Sequence, residues 1–128
     1  MDYLSIIKKR FKFLKKYGFI IKKYSNGVDV EIHYIHLDNV IEIYRTLCVG
    51  DLEYRYLNVD ELLKTSHYAV DIIIQKHQAR KHIFDWKDLF DDVELLTLNR
   101  NIGATNSDGE KISIFADFIE RNVKKVIN

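Results

Sequence analysis

The sequence predicts an α+β fold: a basic N-terminal helix, a four-stranded antiparallel meander, and C-terminal helices packed on one face of the sheet. The prediction depends on an amphipathic period at the N-terminus, tight-turn signals between alternating segments, and helix-starting residues in the second half. At 128 residues the chain fits one domain, 1–128. Its hydrophobic fraction of 47% and charged fraction of 30% are those of a globular protein with its own core.

The first element is predicted to be an amphipathic helix over residues 4–16. At about 100° per residue, its apolar side chains fall on one half of the helix. The opposite half carries five lysines: Lys8, Lys9, Lys12, Lys15 and Lys16. Gly18 stands where the helix should end, since glycine accepts the left-handed conformation of a C-terminal cap. We expect the apolar half to cover the sheet that follows.

Three two-residue turns are predicted to join four strands. The turns are Asn26-Gly27, Asp38-Asn39 and Gly50-Asp51, and Asn-Gly is the strongest short hairpin signal. The strands then cover about residues 19–25, 28–37, 40–48 and 52–57. These turns place Ile21 opposite Ile32, Tyr34 opposite Ile43, Leu47 opposite Tyr54, and Arg45 opposite Tyr56.

Alternation along these strands predicts one polar and one apolar face. Because a one-residue slip at any turn would mix the two faces, their agreement across three turns supports the meander. The polar face holds Lys22, Glu31, His33, Glu42, Tyr44, Thr46, Glu53 and Arg55. The apolar face, on which we expect helices to pack, holds Phe19, Ile21, Val30, Ile32, Tyr34, Ile41, Ile43, Leu47, Tyr54 and Tyr56.

The segment after the meander is predicted to be helical, with one alternative. Asn58 and Glu61 resemble a capping box that starts a helix running towards residue 80. The β-branched run Ile72-Ile73-Ile74 leaves a fifth strand at about residues 68–75 open instead.

Two further helices are predicted in the last third of the chain. One begins at Asp85 and has an apolar side made of Trp86, Leu89, Phe90, Val93 and Leu96. A loop over residues 101–109 separates it from the last helix, at about residues 110–126. The last helix carries one apolar stripe: Ile112, Phe115, Ile119, Val123 and Val126.

No catalytic or cofactor-binding motif is found in the sequence. Cys48 is the only cysteine, which excludes an internal disulfide and favours a reducing, intracellular setting. His33 and His36 point to opposite faces of a strand, and no glycine-rich phosphate loop occurs. No apolar run approaches the ~20 residues of a membrane span, and no secretory signal is visible. We therefore expect no metal, no cofactor, no catalytic residue and a cytoplasmic protein.

Charge is segregated along the chain, although the net charge is only +1. Residues 1–24 hold eight basic residues and one acidic, whereas residues 25–61 hold two basic and eight acidic. Segregated charge can steer association with a partner. The candidate protein-binding residues are Asp88, Asp91, Asp92, Glu94, Glu42, Tyr44 and Glu53. The alternative interpretation is that these residues form an acidic surface that contacts only solvent.

The lysine half of the N-terminal helix allows three interpretations. It is a solvated face, a contact surface for nucleic acid, or a surface for an anionic membrane. Membrane insertion conflicts with the use of the apolar half to cover the sheet. The nucleic-acid alternative would use Lys8, Lys9, Lys12, Lys15 and Lys16.

The first half of the chain resembles a group of known proteins. A helix over residues 4–16 ends in Tyr17-Gly18-Phe19, and a meander with strands around 28–34 and 40–45 follows. This arrangement is similar to small uncharacterised bacterial α+β proteins, some of which are immunity proteins of polymorphic toxin systems. The resemblance implies a non-enzymatic protein that binds and neutralises one cognate toxin. Such proteins often present an acidic surface to a basic toxin domain.

Overall fold

The computed structural model describes residues 2–27, 29–48 and 67–128, and these form an α+β fold. A five-stranded antiparallel sheet, in the order β1-β2-β3-β4-β5, is flanked by helices. The α+β class is confirmed, with five strands in place of four. In chain order the elements are α1 (Tyr3–Arg10), a 3₁₀ helix (Lys12–Tyr17), β1 (Ile20–Asn26), β2 (Val30–His36), β3 (Asn39–Cys48), β4 (His67–Lys76), β5 (Ala79–His82), a 3₁₀ turn (Ile83–Asp85), α2 (Asp92–Gly103) and α3 (Asp108–Ile127).

The N-terminal helix is split into an α-helical and a 3₁₀ part. Asp2 caps α1 by accepting hydrogen bonds from the amide and the hydroxyl of Ser5, at 3.3 and 2.7 Å. From Lys12 the chain tightens to a 3₁₀ helix, in which residues three apart eclipse. Gly18 ends this segment with a φ of 88°, as predicted. A Cβ there would lie 2.9 Å from Cδ2 of His36, so only glycine fits without a shift.

The predicted pairing of β1 with β2 is wrong by more than one residue. Asn26 pairs with Val30, so the Asn26-Gly27 turn is wider than the predicted two residues, and Ile21 pairs with Tyr34 in place of Ile32. A bulge between Ile21 and Lys23 shifts the register within β1. Because a bulge inserts one extra residue, it restores the side-chain alternation on its far side.

The turn between β2 and β3 lies one position earlier than predicted. Leu37 and Asp38 form it, and Tyr34 consequently pairs with Ile41 in place of Ile43. The pairing moves by two residues, which leaves every side chain on its predicted face.

The partner of β3 on its other edge is β4. Arg45 pairs with Val70 and Leu47 with Tyr68, so the predicted partners Tyr56 and Tyr54 are wrong. The alternative of a strand at about residues 68–75 is confirmed, and a helix running to residue 80 is wrong. Ile72 and Ile74 are fully buried on one face while Ile73 is half-buried on the other, a strand period that suits β-branched residues. The predicted turn Gly50-Asp51, the strand at 52–57 and the helix start at Asn58 lie outside the described residues.

The helix predicted to begin at Asp85 begins at Asp92. Before it, Trp86 donates its indole N–H to the Ile74 carbonyl at 2.9 Å, which ties the segment to β4. Asp91 then caps α2. Trp86 and Phe90 are buried as predicted, but Val93 and Leu96 are 70% and 58% exposed, and α2 buries its other pair, Leu95 and Leu98.

The last helix, α3, begins at Asp108 and ends at Ile127, slightly longer than predicted. The predicted loop 101–109 is shorter, because α2 continues to Gly103 and Ser107 caps α3. α3 packs against α1, α2 and β4 on the apolar face of the sheet. The predicted stripe is entirely buried: Ile112, Phe115, Ile119, Val123 and Val126.

An ion pair fixes the start of α3 to the helix-covered face of the sheet. The Arg45 guanidinium donates from Nε to Asp108 at 2.8 Å, and both side chains are 13% exposed. The same guanidinium lies 3.7 Å from the ring centroid of Tyr3 and 3.6 Å from that of Tyr68. Planar stacking between two aromatic rings suits arginine and not lysine.

Candidate functional site

The polar face of the sheet gathers four of the side chains predicted for it. Glu31 pairs with Tyr44 across β2 and β3, and His33 pairs with Glu42 in the adjacent position. Directly paired residues on one face of an antiparallel sheet bring their side chains into contact. Glu53 and Arg55, two further members of the predicted face, lie outside the described residues.

Glu42 is the centre of this cluster, and it is buried at 3% exposure. Arg80, which sequence reasoning missed, reaches across β4 from β5. Its Nε and Nη2 donate to the two carboxylate oxygens at 2.8 and 2.7 Å, a bidentate contact. Tyr44 adds a hydroxyl donor at 2.5 Å. Glu42 thus has its carboxylate occupied by groups of the same chain.

The environment fixes the protonation states of these groups. Burial works to raise the pKa of Glu42, but the hydrogen bonds from Arg80 and Tyr44 outweigh it, and the pKa lies below its ordinary value. Burial raises the pKa of Tyr44, and the hydrogen bond to Glu42 raises it further. The hydrogen bond to Glu42 also raises the pKa of Arg80. At neutral pH the cluster is a carboxylate–guanidinium pair with a neutral phenol, whose O–H donates to Glu42.

His33 lies between two carboxylates in the same cluster. Its Nε2 is 2.5 Å from Glu31 and 3.6 Å from Glu42, and the Tyr44 hydroxyl is 3.4 Å away. Lys23 of the edge strand is 3.6 Å from Glu31. Within the described residues, no group of three or more His, Cys, Asp or Glu side chains is arranged to hold a metal ion.

A second candidate surface lies at the start of α2. Asp88, Asp91, Asp92 and Glu94 are all exposed there. Asp91 is a helix cap, since its carboxylate accepts the amides of Val93 and Glu94 at 2.7 and 3.4 Å. Asp88 and Glu94 face lysines at longer range: Lys81 is 3.9 Å from Asp88, and Lys125 is 3.8 Å from Glu94.

Two large apolar side chains lie among these acids. Val93 is 70% exposed and Leu96 58% exposed. Residues three apart are neighbours on the surface of a helix, so the two make one apolar spot. We call Asp88, Asp92, Val93, Glu94 and Leu96 the α2 surface. Leu95 and Leu98 have the same spacing, so periodicity alone could not show which pair faces the core.

The third candidate surface is the lysine half of the N-terminal segment. Lys9, Lys12, Lys15 and Lys16 are exposed, and Lys8 is half-buried with Nζ 4.3 Å from the ring centroid of Tyr24. None of the five forms an ion pair with a carboxylate that the structure describes. The neighbouring Arg10 instead binds Asp117 at 3.0 Å. We call Lys9, Lys12, Lys15 and Lys16 the lysine surface.

Comparison with known proteins adds no functional assignment. No protein-family model, no curated protein and no solved structure matches the chain. In the described ranges, no helix combines the length and apolar character needed to cross a membrane. The fold and its surfaces are therefore the basis for the proposals below.

Proposed function

We propose that this chain is a non-enzymatic protein-binding module that docks its α2 surface onto a basic partner protein. The observation that carries the proposal is the exposure of Val93 and Leu96, at 70% and 58%, side by side on one helix. Burying a valine or leucine side chain is worth about 1.5–3 kcal/mol. An apolar centre with a polar rim is the usual anatomy of a protein interface.

The charge around this apolar spot specifies the kind of partner. Asp88 is 74% exposed and Glu94 46% exposed, and their lysine contacts exceed 3.7 Å. Exposed ion pairs of this kind are worth only about 0–1 kcal/mol, so a partner's cations can replace them at little cost. A basic surface would then gain both attraction at long range and a defined orientation.

The resemblance to immunity proteins suggests the partner's class. In this proposal the partner is a basic toxin domain that the chain neutralises by covering it, and the pair meet in the bacterial cytoplasm. Glu42 and Tyr44 belong to the cluster under Arg80 and support the sheet, while the contact itself is made by α2.

The test is a tagged pull-down from the native organism with three versions of the chain. The α2 variant carries Val93→Ser and Leu96→Ser. A matched control carries Ile20→Ser and Leu37→Ser, which remove two other apolar side chains that are 66% and 84% exposed. We expect one basic protein, in stoichiometric amount, with the wild type and the control, and its loss with the α2 variant.

Three results would contradict the proposal. Equal capture of the partner by the α2 variant and the wild type would mean that another surface makes the contact. Capture of an acidic protein would contradict the charge argument, as would binding that does not weaken when salt screens the exposed acids.

A further inference from the structure

We propose that the lysine surface binds the phosphate backbone of double-helical nucleic acid without regard to sequence. This inference is independent of the α2 surface and of the protein partner proposed above. It rests on the geometry of the N-terminal segment, on the groove beside it, and on the burial of the segment's apolar half.

The lysines of the 3₁₀ helix are regularly spaced. Lys12 and Lys15 belong to the 3₁₀ helix Lys12–Tyr17. In a 3₁₀ helix residues three apart eclipse, at about 2.0 Å of rise per residue, so these two lysines form a row about 6 Å long. Successive phosphates of one DNA strand advance about 3.4 Å along the axis. The row therefore spans about two phosphate steps.

A groove lies between the N-terminal segment and α3. It has a volume of about 430 Å³, and the lysine surface lines it together with Arg10, Phe13 and Glu120. Arg10 is bound by Asp117, and Glu120 is the one acid among the lining residues. Four lysines thus face one carboxylate across an open groove, and its field favours an anionic occupant.

The burial of the segment's apolar half favours nucleic acid over an anionic membrane as the partner. Leu4, Ile7, Phe11, Phe13 and Leu14 are all buried at 7% exposure or less. None of the segment's apolar side chains is fully exposed, although Tyr3, Ile6 and Tyr17 are half-buried, so little apolar surface is left to insert between lipids. Stable membrane attachment ordinarily takes a second, hydrophobic anchor beside a basic patch, whereas phosphate contacts alone support binding to nucleic acid.

The aromatic residue of the groove indicates the form of the nucleic acid. Proteins that hold single strands stack bases on exposed aromatic rings. The aromatic residue of this groove, Phe13, is 6% exposed, and so provides no stacking platform. Contacts limited to phosphates fit a duplex, whose bases remain paired, and predict equal affinity for unrelated sequences.

The test is fluorescence anisotropy with a labelled DNA duplex of about 20 base pairs at about 50–200 mM salt. Each lysine–phosphate contact contributes about −0.9 to the slope of log affinity against log salt, so four contacts give about −3.6. Over that fourfold range of salt, the affinity should fall about 150-fold. Two duplexes of unrelated sequence should bind equally.

Matched variants connect the effect to the lysine surface. Lys12→Gln with Lys15→Gln should reduce the slope to about −1.8, which corresponds to about a 12-fold loss over the same salt range. Lys87→Gln with Arg100→Gln removes two exposed positive charges elsewhere and should leave the slope unchanged. All four substitutions are at exposed positions, and urea unfolding checks that the variants remain folded.

Three results would overturn the proposal. The duplex could fail to bind at low salt, or the control variant could lose as much slope as the lysine variant. Alternatively, vesicles containing phosphatidylserine could bind the chain while the duplex does not, which would assign the lysine surface to a membrane.

Discussion

Replacing Arg80 with methionine should destabilise the fold at neutral pH, because the change leaves the Glu42 carboxylate buried without its cation. Arg80 donates two hydrogen bonds to Glu42, at 2.8 and 2.7 Å. Hydrogen bonds to charged groups contribute about 1.5–3 kcal/mol each. The Arg80 side chain is 53% exposed, so water replaces part of what is lost. We expect a loss of about 2 kcal/mol in the free energy of unfolding.

The dependence of this loss on pH is the sharper part of the prediction. In the wild type the pKa of Glu42 lies below its ordinary value of 4.5. Its ionised form therefore stabilises the fold above pH 4.5, and this stabilisation is lost as the pH falls through the lowered folded value. Without Arg80, burial becomes the leading influence and raises the pKa of Glu42. The variant then recovers stability on acidification, and its deficit at pH 4 should be less than about half of that at pH 7.

Urea unfolding followed by Trp86 fluorescence measures both quantities, since Trp86 is the only tryptophan and is buried at 4% exposure. A double variant with Glu42→Gln removes the buried charge, and should be more stable than the single variant. Lys87→Met is the control for an exposed cation. A loss of less than about 0.5 kcal/mol, the range of ordinary surface changes, would refute the reasoning. So would a loss that is equally large at pH 4 and pH 7.

Three further predictions concern the fold and are measured by the same urea unfolding. Gly18→Ala should lower the free energy of unfolding by about 1–2 kcal/mol because of the left-handed backbone, whereas Gly103→Ala, at the last residue of α2 and in open space, should raise it by up to about 1 kcal/mol. Equal effects would contradict the positive φ of Gly18. Arg45→Lys should lower the free energy of unfolding by about 1–2 kcal/mol, because lysine cannot stack between two rings while it holds a carboxylate. No change in stability would mean that the guanidinium does not lie between the two rings. Leu98→Ala should lower the free energy of unfolding by about 2–5 kcal/mol, and Leu96→Ala by less than about 0.5 kcal/mol. A larger loss for Leu96→Ala would mean that α2 buries Leu96 in place of Leu98.

The faces of the sheet could be predicted from the sequence more firmly than its pairing. Moving the second turn from Asp38-Asn39 to Leu37-Asp38 changes the partner of Tyr34 but not its face, because the pairing moves by two residues. The bulge near Ile21 could not be predicted, because nothing in a run of two isoleucines and two lysines marks an inserted residue. Leu37 has a φ of 55°, a conformation that turn statistics assign to glycine or asparagine.

Only part of the polar cluster could be predicted from the sequence. Alternation placed Glu42, His33 and Tyr44 on one face, and the structure confirms that they lie together. Arg80 was missed because the turn before it, His77-Gln78, carries none of the residues that mark a hairpin. Both residues have a positive φ, 52° and 68°, as a tight hairpin turn requires. Without that turn, β5 could not be placed beside β4, nor its arginine within reach of Glu42 on β3.

The two charged surfaces are separated by α3, and this arrangement lets one small fold carry both. α3 packs against α1 on one side and α2 on the other. Its Asp117 binds Arg10 on the side of the lysine surface, and its Lys125 lies 3.8 Å from Glu94 on the side of the α2 surface. Each side of α3 thus carries a charge opposite to that of the helix beside it. These ion pairs hold the helices together and leave most of each surface accessible to a partner. Because distant sites usually act additively, changes to the lysine surface should leave protein capture intact, and changes to Val93 and Leu96 should leave the salt slope intact.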